Sequence, residues 1–242
     1  MTRLTIAMPL GRGHGADGYC VGSLLQIVAA LGARGIPVRF DHLSQGPIEY
    51  ARAELVGRML ATPSTHLLFL DGDVCVDPSV VLDMLAVDLD SVSAVYAMRQ
   101  DPRQLLVHFE RDAPITTVHG HRVLEIELAG IGCTLVKRRV FERLFELHPE
   151  LAYDSDTIPG RQHCSMFSFL QRVTDVPHKH PSEDHCFFRR ARDAGFRLHA
   201  LLDATVIHDR IRTNLGEQLR LGYGVDRPAQ FRSKASATDA TP

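Results

Sequence analysis

Two carboxylates one residue apart, Asp71 and Asp73, close the apolar run Leu67-Leu68-Phe69-Leu70. Four consecutive apolar residues ending in an acidic pair read as a buried parallel strand that delivers both acids to the carboxyl edge of a sheet. Open α/β sheets bind ligands at that edge. Two like charges held together there need a positive partner, and a divalent cation bridging a diphosphate suits such a pair. A calcium loop starting at Asp71 fails, because it would need glycine where Val76 stands and glutamate where Leu82 stands.

Three further groups could carry chemistry. Ser182-Glu183-Asp184 opens a helical pattern; acids in a first helical turn complement the helix dipole, and Ser182 suits the N-cap. His208 closes a strand-like stretch over 201–207. Gly130-Ile131-Gly132-Cys133 either lets backbone come close to a ligand or makes a plain turn. His178, His180, His185 and Cys186 form a second possible metal cluster, but His-x-His on a loop is more often solvated and Cys186 falls on a face expected to be buried. His119 and His121 read the same way.

The elements that must position these residues alternate. Residues 4–8 read as a strand, 22–34 as a helix stopped by Gly35, 36–41 as a strand ending on Asp41, 48–60 as a helix and 66–71 as a strand. This β-α-β-α-β order argues for a parallel sheet with right-handed crossovers. A short helix over 79–85, a strand over 92–98, an alternating half-buried strand near 123–128, a short strand at 133–136 and a helix over 138–148 follow. Residues 152–181 lack periodicity and read as a long loop able to close over a site. A helix over 182–194 with Gly195 as its stop leads to a strand at 198–202, and the Ser/Ala/Thr-rich tail from about 225 reads as disordered.

The whole chain sets bounds. Its 242 residues suit one large domain or two small ones, with 45% hydrophobic and 23% charged residues. A net charge of −2 gives no field favouring nucleic acid or an anionic membrane. Five scattered cysteines without a C-x-x-C argue for free thiols in a reducing compartment. The opening residues are broken too soon by Pro9 to be a signal peptide, and no apolar stretch approaches a membrane span of about 20 residues. A cytoplasmic protein is the expectation.

Together the stretches HLLFLDGDVCVDP, AGIGCTLVKRRVFERL and PSEDHCFFRRARDAGFRLHALLDATVIH, with TIAMPL and EYARAELV more loosely, resemble the GT-A-fold nucleotide-sugar glycosyltransferases, in the family-2-like order of D-x-D, Glu-Asp and late histidine. The resemblance covers most of residues 3–210. It implies a Rossmann-like α/β domain over 1–224, with a mostly parallel central sheet flanked by helices and a small second sheet. A nucleotide-binding half would span about 1–100 and an acceptor half about 101–224. It implies that Asp73 and His208 ligate Mn²⁺ or Mg²⁺, and that Asp71 contacts the donor ribose, or the metal through water. Pro9, Leu10, Arg12, Asp41, Arg52 and Gly72 would lie at the nucleotide, and Gly130, Ile131 and Gly132 would flank sugar or acceptor. In inverting members the position of Asp184 deprotonates the acceptor hydroxyl, with Glu183 binding an acceptor hydroxyl; in retaining members the base role lapses and both acids position substrate, and the sequence leaves both outcomes open. The donor would be a UDP-sugar first and a GDP-sugar second. With no tryptophan and 7% aromatic residues, a small hydroxyl acceptor fits better than a long polysaccharide. His208 is followed by Asp209 where relatives often have glycine. Two rival readings stay open: a non-catalytic nucleotide-sugar binder on the same fold, and a metal-dependent phosphatase using Asp71 as nucleophile or ligand, for which the nucleophile strand, later lysine and downstream Gly-Asp pair form no convincing set.

Overall fold

The computed structural model describes residues 1–10, 15–98, 104–110, 112–169 and 182–221. In chain order its elements are β1 (Leu4–Pro9), α1 (Gly18–Gly32), β2 (Val38–Leu43), α2 (Ile48–Leu60), β3 (His66–Leu70), β4 (Val74–Val76) and α3 (Pro78–Ala86). Then come β5 (Ser91–Ser93), β6 (Val107–His108), β7 (Ile115–Val118), β8 (His121–Ile126), β9 (Leu128–Ala129), β10 (Cys133–Lys137) and α4 (Arg138–Leu147). The last are β11 (Ala152–Asp154), β12 (Gln162–Cys164), α5 (Glu183–Asp193), β13 (Leu198–Leu201), β14 (Thr205–His208), β15 (Ile211–Asn214) and α6 (Leu215–Arg220).

Eight strands form the central sheet in the order β2-β1-β3-β10-β5-β13-β8-β7. β1 runs parallel to β2 and β3, and β5 parallel to β13, while β10 enters antiparallel between β3 and β5. The α/β class and the small second sheet, β15-β14-β4, are as expected. The antiparallel insertion is new, and it matters: pairing Cys133 with Leu70 sets Gly132 opposite Asp71. Helices cover both faces. One core joins α2, α4 and α5 to the sheet around Phe69, whose ring meets Phe141 and Phe167 edge-on at 6.4 and 5.7 Å. The other joins α1 and α3 to the opposite face through Leu24, Ile27, Leu31, Val81 and Met84.

Several boundaries move for identifiable reasons. α1 starts four residues before the expected 22, because the Asp17 side chain caps it by accepting from the Tyr19 amide. β2 runs past Asp41 to Leu43, so Asp41 lies inside the strand rather than at its end. The expected strand at 92–98 stays in the sheet only over Ser91–Ser93; beyond it the backbone turns to pair with 104–106, Leu106 donating to Tyr96 O and Met98 to Gln104 O. Gly195, at φ +89°, ends α5 as the sequence predicts.

Part of the expected loop 152–181 is instead a hairpin, β11–β12, held on one face of α2. Tyr50, Glu54 and Arg58 recur every fourth residue and so share that face. Tyr50 Oη donates to Asp156 at 3.0 Å, and Arg58 Nε to Thr157 Oγ1 at 3.1 Å. Fully buried Glu54 accepts from Ser155 and Thr157 hydroxyls and meets His163 Nδ1 at 3.1 Å. Residues 170–181, with His178 and His180, and the tail from 222 lie outside the described residues.

Candidate active site

The strand β3 ends by handing its last backbone bonds to the glycine loop. The Asp71 amide donates to Gly132 O at 2.9 Å, and the Gly132 amide donates to the buried Tyr96 hydroxyl at 3.0 Å. A Cβ on Gly132 would stand 2.5 Å from Asp71 Oδ2 and 2.6 Å from Tyr96 Oη, so only glycine lets the loop come this close.

Asp71 does not stand as a free acid. Arg52, on α2 and 3% exposed, grips it with two nitrogens: Nη1 to Oδ1 at 3.0 Å and Nη2 to Oδ2 at 3.2 Å. The same Nη2 lies 3.7 Å from Glu183 and 3.8 Å from Asp184. One guanidinium therefore joins the D-x-D acid to both acids of the Glu-Asp pair, and it packs over the Phe69 ring at 5.6 Å. Ser182 caps α5 by accepting from the His185 amide, which places Glu183 and Asp184 in the first turn, facing the sheet edge. Asp184 Oδ2 accepts from the Ile131 amide at 3.3 Å, while Oδ1 has no hydrogen-bond partner among the described residues.

Three carboxylates share one cation here, and the protonation states follow. Burial pushes the Asp184 carboxyl up to about 7; Arg52 pulls against this, and Glu183 and Asp71 add to it. Burial works against the Arg52 charge, but Asp71, Asp184 and Glu183 outweigh it and hold the guanidinium firmly protonated. Asp184 keeps 20% of its side chain open, enough for a small hydroxyl to reach it.

Asp73 faces a different partner. β4 pairs antiparallel with β14, setting His208 opposite Val74, and the Asp209 amide donates to Asp73 O at 3.2 Å. His208 Nδ1 lies 2.9 Å from Ala97 O, and since a carbonyl only accepts, that nitrogen carries hydrogen. Nε2 is thereby turned toward Asp73 Oδ2, 3.7 Å away. The Tyr96 ring packs on His208 at 4.7 Å, linking the two halves of the site. Just beyond, Asp209 and Arg210 hold positive φ, 48° and 67°, in the β14–β15 turn. Asp73 also lines a cleft of about 840 Å³ between the first turns of α1 and this hairpin.

The remaining expected residues divide. Pro9 ends β1; the Leu10 amide donates to Leu43 O, and a Cβ on Gly72 would stand 2.8 Å from Leu10, so these three sit together at the carboxyl edge. Asp41 is held by Arg58 at 2.9 Å and Arg39 at 3.3 Å. Arg12 lies outside the described residues. Cys186 is buried as expected. Among the described residues no group of three or more His, Cys, Asp or Glu side chains could hold a metal by itself. Asp71, expected at the donor ribose or at the metal through water, meets Arg52 with both of its oxygens. Asp73 and His208 remain, one hard oxygen and one imidazole nitrogen, which fits a cation completing its shell on a substrate diphosphate rather than a closed protein cage. Sequence reasoning missed Tyr96 and Ala97, since an apolar run around a tyrosine signals only core.

No protein-family model matches the chain, and no curated relative does. Solved structures do. A197 from STIV is 17% identical over 86% of this chain and 85% of that one, with a TM-score of 0.47. A Drosophila beta-1,4-galactosyltransferase 7 mutant complexed with manganese, UDP-Gal and xylobiose is 13% identical over 94% and 76%, with a TM-score of 0.44. A 4-diphosphocytidyl-2C-methyl-D-erythritol synthase from Anaerococcus prevotii is 9% identical over 64% and 78%, with a TM-score of 0.35. The structures that this chain resembles thus include GT-A-type glycosyltransferases and nucleotidyltransferases, at TM-scores below 0.5, and the functional reading rests on its own side chains.

Proposed function

We propose that this chain is a metal-dependent glycosyltransferase that moves a sugar from a nucleoside diphosphate, UDP before GDP, to a small hydroxyl acceptor. The observation that carries the reading is the single buried guanidinium of Arg52 spanning Asp71, Glu183 and Asp184, beside the Asp73–His208 pair. Residues 1–100 serve as the nucleotide half and 101–224 as the acceptor half.

The acceptor hydroxyl donates to the open side of the Asp184 carboxylate, at Oδ2, which the Ile131 amide orients, while the buried Oδ1 is turned toward Arg52. With a pKa of about 7 the carboxylate takes that proton at neutral pH, and a positioned base of this kind contributes about 10²–10⁴-fold. Arg52 orients the acid and carries its charge. Glu183 hydrogen-bonds a second acceptor hydroxyl. When bound by Asp73 and His208, Mn²⁺ or Mg²⁺ offsets the diphosphate charge of the donor and of the leaving nucleotide.

A phosphatase using Asp71 as nucleophile is disfavoured because both of its oxygens are engaged by Arg52. The non-catalytic binder separates from the enzyme by D184N: turnover collapses in the enzyme while nucleotide binding persists. The first test is a thermal-shift panel of UDP, GDP, CDP and ADP with and without Mn²⁺. A ligand at 100 times its dissociation constant adds about 2.7 kcal/mol, a shift of roughly 5–10 °C. A Mn²⁺-dependent shift with one nucleotide, lost in D73A, supports the reading; no shift with any nucleotide overturns it.

A further inference from the structure

β2 is the outermost strand of the central sheet, and among the described residues no strand pairs with its outer edge. Edge strands are normally blunted by proline, lysine, a bulge or an extra cover. β2 reads Val-Arg-Phe-Asp-His-Leu, six residues without proline or lysine; its two charges, Arg39 and Asp41, pair with each other at 3.3 Å, and Phe40 is left 43% exposed. The Leu4 amide donates to Pro37 O and the Leu10 amide to Leu43 O, so odd-numbered residues of this strand turn their backbone groups toward β1. By alternation Val38, Phe40 and His42 present their N–H and C=O groups outward.

The side chains alternate as well. Leu43 belongs to the core under α2, while Val38 packs into the core under α1, which puts Phe40 and His42 on the α1 side and Arg39 and Asp41 on the α2 side. α1 carries no Asp, Glu, Lys or Arg along its 15 residues, yet Val21, Leu25 and Val28 are exposed together on one side of it, away from the cleft that Tyr19 lines. A solvent-facing helix without charge is a surface that lacks its cover.

We infer that the cover is a second copy of this chain, joined antiparallel through β2 about a two-fold axis at Phe40. In that register Phe40 faces its own counterpart, and Val38 faces His42 of the partner subunit. The outward backbone groups of both edges are then all satisfied. Arg39 falls opposite the partner's Asp41, and Asp41, which Arg58 and Arg39 already hold within its own chain, opposite the partner's Arg39, so each exposed arginine finds an acid across the axis. A two-fold axis perpendicular to the sheet keeps both α1 helices on one face, where their uncharged sides meet. The interface is isologous and closes as a dimer. This inference does not depend on the catalytic reading.

Sedimentation equilibrium of the full chain at micromolar concentration, with circular dichroism as a folding control, tests it. Wild type is expected to be a dimer. R39D, at a side chain already 53% exposed, sets acids against acids on both sides of the axis and weakens association roughly 10–100-fold. F40K places two like charges on the axis and gives a monomer. Amide exchange supplies a second readout: the Val38, Phe40 and His42 amides are protected in the dimer and exchange freely in F40K. A wild-type monomer throughout the micromolar range overturns the inference, and so does a dimer that neither substitution disturbs.

Discussion

The Arg52 guanidinium holds the Asp71 carboxylate with two nearly equal contacts, 3.0 and 3.2 Å, from a position on α2 that is almost wholly buried. The acid nearest the sheet thus has its countercharge within the chain. Removing the cation leaves three carboxylates facing one another. R52M is expected to lose about 3–5 kcal/mol in urea unfolding at pH 8, the usual cost of orphaning a buried charge. R52K should lose less, since it keeps the charge but not the two-pronged geometry.

Asp184 sets the pH behaviour. Its carboxyl is raised to about 7 in the fold, so a reaction that needs it ionised rises with pH through about 7 and levels above. Stability runs the other way. A folded pKa above the unfolded value means that the fold holds the proton more tightly, so this contribution is full below about 4 and is lost as pH climbs toward 7. D184N should therefore abolish turnover and raise the melting temperature at pH 8 by about 2–8 °C. That gain should shrink at pH 5, as read in melting curves at both values.

Asp73 and His208 are expected to act together on the cation. D73A should remove the Mn²⁺-dependent part of nucleotide binding, and H208A should weaken it by about 10–100-fold. D73A should keep the wild-type melting temperature without Mn²⁺ to within about 2 °C, whereas H208A, which removes a buried ring packed on Tyr96, should lower it by roughly 2–10 °C. Calorimetric titration of nucleotide with and without metal measures the difference.

Gly132 serves the site by being small. G132A forces a methyl group against Asp71 and Tyr96, and overpacking of this kind costs about 1–3 kcal/mol. Nucleotide affinity should fall more than the fold is harmed, because the displaced group is the D-x-D acid. Paired melting and binding measurements check this.

Glu54 anchors the β11–β12 hairpin. Burial would raise its carboxyl, but the hydrogen bond from Thr157, the charge of His163 and the bond from Ser155 together bring it below the ordinary range. A depressed carboxylate contributes stability above the ordinary glutamate range and loses it as pH falls through the folded value. Amide protection of the hairpin is therefore expected to decay in acid before the central sheet opens. E54A should cost roughly 1–3 kcal/mol for the hydroxyls and imidazole left unpaired.

Local pattern carried much of this molecule. The period of Ile48, Ala51, Leu55 and Met59 marks α2 to the residue, and Ser182 with Gly195 brackets α5, because helix ends are decided by nearby backbone groups. The strand before Asp71 was equally plain, since a run buried on both faces must be apolar throughout. Asp41 misled, since a carboxylate inside a strand looks in sequence like one at its end; Arg58, a helix away, is what lets it stay there.

The sequence alone determined which residues could carry chemistry: two acids on a strand end, two in a helix's first turn, and a histidine closing a late strand. Only the tertiary structure decided how they divide. Antiparallel β10 brings Gly132 against Asp71, α2 sends Arg52 among three acids from 19, 131 and 132 residues away, and β14 aims His208 at Asp73. These partnerships are electrostatic contacts across the fold, and charge pairing over such separations leaves no period, cap or run for a linear reading to find.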